Sequence, residues 1–133
     1  MRKKLQSYIP KAIEAINATQ IAKGGKVNGT YNGFISSFGA GIVQAGILPA
    51  VIFFETAEGT EGADKYRICQ ALYWMKQTMD GKSIQTSSLE KTTLSQYILS
   101  HNLQYDNKFL KEMTQYAVAL KIAMRTFKKV EKS

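Results

Sequence analysis

Apolar residues in this chain recur mostly at spacings of three and four rather than two, the period of helices that bury one face. Leu5, Ile9, Ala12, Ile13 and Ile16 follow it near the start and predict a first helix. Ser7 is the expected N-cap, which places Pro10 in the first turn, where a missing N–H costs little. The stretch "AKGGKVNG", residues 22–29, ends that helix as a lysine-bearing loop. Val27, Tyr31, Phe34, Ile35, Phe38 and Ile42 then share one helical face. Gly46 stands where a helix C-terminus uses a left-handed residue, and Pro49 stands where a first turn tolerates proline. The pattern therefore predicts two helices joined by a tight corner. After the break "EGTEGAD", a helix from about Asp64 to Met79 carries the stripe Ile68, Leu72, Met75 and Met79. Cys69, Tyr73 and Trp74 widen the stripe, which marks a central, well-covered helix. Ser87 and Glu90 have capping-box spacing and open a short helix through Tyr97 and Leu99. The last helix carries Phe109, Met113, Tyr116, Leu120, Met124 and Phe127. Nothing alternates like a strand for long. The fold expected for residues 1–133 is all-α, a single compact bundle of about six helices.

The stretch from Asn28 to Glu55 holds five glycines and a proline within the most apolar part of the chain, a combination that also suits a membrane segment or a phosphate-binding loop. A bilayer span needs about 20 continuous apolar residues. The unbroken run here, Ala45 to Phe54, is about half that and carries Pro49, so no membrane is expected. Gly39 and Gly41 resemble part of a phosphate loop, but no strand precedes them and no Lys-Ser/Thr pair or paired acid follows. Packed helices remain.

Composition narrows the function. An apolar fraction of 44% in 133 residues supports a real core and argues against disorder. Lys and Arg number 18 against 10 Asp and Glu, a net charge of +8 that favours an anionic partner, nucleic acid first. Cys69 is alone, which excludes an internal disulfide, and the basic start lacks an apolar signal core; a cytoplasmic protein is expected. Catalysis would need paired acids, a nucleophile with a base, or a metal cluster. His101 is the only histidine and sits in a polar break, where a surface or capping role is expected. Glu55, Glu58, Glu61 and Asp64 recur every three residues but lack calcium-loop order, so they predict a solvated acidic loop. No catalytic residue, metal or cofactor is expected.

Lys121, Arg125, Lys128 and Lys132 repeat at four, three and four, with Lys129 nearby, and predict a basic stripe along the last helix. Such a row suits a phosphate backbone without base specificity. Cations in a last turn also suit the helix dipole, so a plain solvated face is the competing account. Lys23 and Lys26, around Gly24 and Gly25, form a second candidate.

The segments "TYNGFISSFGAGIVQAGILPAVIFF", "KYRICQALYWM", "LSQYILSHN" and "YAVALKIAMRTFKKVEKS" give the chain a further aspect. Together they resemble the family of small helical subunits of the type III-B CRISPR RNA-guided effector, the Cmr complex. An aromatic residue leads into a tight corner, "IVQAGIL", and then an apolar helix, "PAVIFF". Two departures are "FGAGI", where relatives often carry a proline, and Met124 and Phe127, where a tryptophan is frequent. The resemblance implies a noncatalytic subunit that stacks with copies of itself along the other, guide-bearing subunits and helps hold guide RNA and target RNA. The alternative from the residues alone is a stand-alone basic DNA-binding regulator.

Overall fold

The computed structural model describes residues 2–85, 89 and 91–130. Among them the chain forms, in order, α1 (Arg2–Ala18), β1 (Ala22–Lys23), β2 (Lys26–Asn28), α2 (Thr30–Ala45), α3 (Ile47–Glu55), α4 (Gly62–Met79), α5 (Leu94–Ser100), α6 (Asn107–Met124) and β3 (Lys128–Val130). The fold is predominantly helical, as the period predicts, with one small sheet that it does not predict.

The helix α4 is central, packing against each of the other five. Its buried Ile68, Cys69, Ala71, Leu72 and Met75 supply the middle of the core, while Met79, the end of the expected stripe, is exposed. Both long neighbours rest on it. On α6, Phe109, Met113, Tyr116, Leu120 and Met124 are buried as their spacing requires. The α1 face is rotated from expectation: Tyr8, Ala12, Ala15 and Ile16 are buried, and Leu5, Ile9 and Ile13 sit at its edges. Tyr8 meets Tyr116 edge-on at 4.9 Å, an aromatic pair that adds to the burial. Because α1 begins at Arg2, Ser7 is not its N-cap and Pro10 lies inside the helix. The Ser7 hydroxyl instead donates to the Lys4 carbonyl at 2.7 Å. Packing against α4 and α6 offsets the backbone bond that proline cannot make.

The corner forms as the glycine and proline suggest. Gly46 closes α2 and opens α3 at φ 95 and ψ 169, with its N–H on the Ile42 carbonyl at 2.9 Å. Pro49 falls in the first turn of α3, where its absent N–H would have no helical partner. The helices pack closely at Gly41, where a Cβ would sit 3.5 Å from that of Ala50, an ordinary contact.

The expected capping box of Ser87 and Glu90 lies outside the described residues. A capping box occurs six residues later instead. Thr93 accepts from the Gln96 N–H, and the Gln96 side chain accepts from the Thr93 N–H, which starts α5 at Leu94. Of the four acidic residues, Glu58 and Glu61 lie exposed in a loop as expected, whereas Glu55 and Asp64 are half-buried and partnered. Glu55 accepts from the Ser95 N–H at 3.3 Å, binding α3 to the start of α5, and Asp64 accepts from Tyr31 and Arg67, each at 3.0 Å. Ser95 lies 40 residues from Glu55 and Tyr31 lies 33 from Asp64, so local spacing could not show these two partners; Arg67, three residues on from Asp64, is a neighbour along the helix.

Several titrating groups share one sign. Burial first, and then Asp64 for Tyr31 and Glu112 for Tyr116, push both phenols well above their usual value of 10.0. Burial and the neighbouring Tyr97 raise Tyr73 as well. Burial works to lower the Lys76 pKa, but Glu112, at 3.0 Å, and Asp80 outweigh it and hold the ammonium above its usual 10.5. Each group keeps its proton longer folded than unfolded, so its contribution is complete below the unfolded pKa and is lost as pH rises beyond it. The buried Cys69 thiol is raised in the same sense. The thermal midpoint is therefore expected to change little from about pH 7 to 8 and to fall increasingly above it as the thiol, then the phenols and Lys76, pass their unfolded values. Melting curves followed by circular dichroism check this, and a midpoint unchanged between about pH 9 and 11 would refute it.

Candidate nucleic-acid interface

The two basic candidates of the sequence meet in one place. The stretch "AKGGKV" is a β-hairpin rather than a loose loop, with Ala22 opposite Val27 and Lys23 opposite Lys26. Its two-residue turn has Gly24 at φ 59 and Gly25 at φ 75, the pair of positive angles that a type I′ turn demands. Glycine adopts these angles at no steric cost, and Gly-Gly between short apolar flanks is the sequence signal for such a hairpin.

The last helix stops earlier than its expected stripe. The amides of Arg125, Thr126 and Phe127 turn to carbonyls three residues back, and the Thr126 hydroxyl donates to the Ala123 carbonyl at 2.7 Å. These tighter bonds end α6 at Met124. Phe127 stays half-buried against the core, and Lys128 to Val130 run on as a strand parallel to β2. Lys128 and Lys129 therefore do not lie on a helix, which corrects the basic stripe. Lys121 and Arg125 remain one turn apart at the end of α6, where their charge suits its C-terminus. Lys132 lies outside the described residues.

Strand pairing sorts the cations by face. Lys23, Lys26 and Lys128 are direct cross-strand neighbours and share one side of the sheet, with Asn28 and Val130. Ala22, Val27 and Lys129 share the other, on which Ala22 and Val27 are buried. Gly29 gives Lys129 its route, since a Cβ there would overlap the lysine side chain. Lys129 and Arg125 line a depression of about 300 Å³ with Asn28, Asn32 and Met124. On the outer side, Lys23 and Lys26 edge a second hollow of about 250 Å³, walled by Ile21, Tyr31 and Asp64. Lys121 is half-buried and lines a separate groove between α2 and α6, so it stands apart from the others.

Lys23, Lys26, Arg125, Lys128 and Lys129 are all exposed. Among the described residues, no ion pair involves Lys23, Lys26, Arg125 or Lys128. Elsewhere the lysines are often matched: Lys11 with Glu14, Lys65 with Glu61 and Lys76 with Glu112. The sheet corner thus brings exposed positive charge together on a short platform. Asn32 is a polar neighbour that the charge pattern did not single out; its amide can donate to phosphate oxygens, and only the fold puts it beside Arg125.

Other chemistry finds little support in the geometry. His101 caps α5, with Nδ1 3.1 Å from the Tyr97 carbonyl and its ring 4.3 Å from that of Tyr97. Cys69 is buried against the Val51 carbonyl, and burial pushes its thiol well above the usual value. Among the described residues, no group of three His, Cys, Asp or Glu side chains is placed to hold a metal ion. Among them, too, no helix is long and apolar enough to cross a membrane. The helix after the Gly46 corner, Ile47 to Glu55, buries Ile47, Ala50, Val51 and Phe54 and offers no Arg, Asn or Gln to a DNA groove. Comparison with protein-family models, curated proteins and solved structures gives no match.

Proposed function

We propose that this chain is a noncatalytic RNA-associated subunit of the type III-B CRISPR effector, the Cmr complex. In this reading, copies of the chain stack along the other, guide-bearing subunits and help hold guide RNA and target RNA by phosphate contacts. The observation that carries it is the gathering of Lys23, Lys26, Arg125, Lys128 and Lys129 at one sheet corner, where, among the described residues, no ion pair involves Lys23, Lys26, Arg125 or Lys128. Such a platform contacts backbone without reading bases, and one copy alone binds weakly. Repeated copies along one strand raise the effective concentration of each contact. The segments that resemble the small Cmr subunit supply the particular complex.

Purification of the tagged chain from its own cells tests the reading: guide RNA and the backbone subunits are expected to come with it in fixed ratio. Recovery of the chain without RNA, or bound to duplex DNA at defined sites, would favour the DNA-binding regulator instead. The isolated protein is also expected to cut neither RNA nor DNA. Reproducible cleavage that vanishes in His101→Ala would overturn the noncatalytic role.

A further inference from the structure

Lys23, Lys26 and Lys128 stand side by side across three strands. Neighbouring strands lie about 5 Å apart, and like charges directly opposite one another weaken the pairing. Among the described residues none of the three lysines forms an ion pair, and Asp64, the one carboxylate lining the adjoining hollow, is already held by Tyr31 and Arg67 at 3.0 Å. The repulsion acts unequally on the strands. A two-residue turn ties β1 to β2, so closing that pair costs little chain entropy. In contrast, β3 reaches β2 from the far end of the sequence, and its three residues are all exposed. Phe127, packed against the core, fixes the point at which the strand departs.

We propose that β3 is a strap drawn shut by phosphate groups: a polyanion bridging Lys23, Lys26 and Lys128 removes their repulsion and locks the C-terminal strand onto the hairpin. The inference rests on the RNA-holding reading and adds a regulation to it, since target or guide backbone would order the surface that grips it. Two hydrogen bonds exist only in the closed arrangement and report it. The Lys128 N–H donates to the Gly25 carbonyl at 3.3 Å, and the Gly29 N–H donates to the Val130 carbonyl at 2.8 Å.

The test is hydrogen exchange at these two amides in the full chain at low salt, alone, with an oligouridylate and with inorganic polyphosphate. Either polyanion is expected to slow exchange by about tenfold or more, because it binds the closed form preferentially. Lys128→Glu places opposite charges across from Lys26, so it is expected to slow exchange of both amides without any polyanion and to abolish the response. Rates unchanged by both polyanions and by Lys128→Glu would overturn the strap, even if the assembly still retained RNA, in which case the RNA reading would stand without it. Slowing by polyphosphate but not by oligouridylate would uphold the strap and count against RNA as its ligand.

Discussion

Changing Lys26, Arg125 and Lys128 together to Glu is expected to lower target-RNA retention by the reconstituted complex by on the order of a hundredfold at low salt, since each of the three exposed contacts is worth about 1 kcal/mol, or roughly fivefold. All three are exposed, and none supports the core, so helicity and the thermal midpoint should stay close to those of the parent chain. The loss should shrink as salt rises. With a slope of about 0.7 per neutralised phosphate on a single strand, three lost contacts remove about 2 from the salt dependence of binding. Filter retention across a salt series measures both quantities. Equal retention by the triple variant at the lowest salt would make the corner a solvated face. A loss that is independent of salt would point to damaged assembly rather than to missing phosphate contacts.

Replacing Gly46 by Ala is expected to cost about 2 kcal/mol and to lower the thermal midpoint by several degrees. The cause is the backbone: φ 95 with ψ 169 is a region that side-chain-bearing residues hardly enter. Crowding is not the cause, because an added Cβ would lie 3.9 Å from Pro49 Cδ, an ordinary contact. Gly39→Ala provides the contrast. It lies inside α2 with open space around it, so alanine should stabilise by roughly 0.5–1 kcal/mol through helix propensity. Chemical denaturation of both variants checks the pair, and a Gly46→Ala protein as stable as the parent would show that α2 and α3 reach the same corner without a positive φ.

Much of the core was legible because its signal is local. A helix repeats every 3.6 residues, so Phe109, Met113, Tyr116, Leu120 and Met124 name their own buried face wherever the helix packs. The stop-and-start chemistry of Gly46 and Pro49 is local for the same reason. The first helix shows the limit of this reasoning: the position of Tyr116 on α6 decided that Tyr8 and Ala15 face inward while Leu5 and Ile13 lie at the edge. The candidate interface was only half legible. The charges themselves, and the hairpin that Gly24 and Gly25 permit, belong to the sequence. Their assembly does not. Strands of two or three residues are too short to carry a period, and their hydrogen bonds belong to partners elsewhere in the chain. Continuation of Arg125, Lys128 and Lys132 as a helical stripe was the natural expectation from spacing, because no glycine or proline marks the end of α6. Tertiary structure decided otherwise: once α6 lies beside α1 and α2, its end reaches the hairpin, and the open hydrogen-bonding edge of β2 draws residues 128–130 into an extended conformation. By itself, the sequence determined a basic helical protein with a glycine corner. Only the fold brought Lys26 and Lys128 together, because the backbone pairing that aligns them is made between the two ends of the chain.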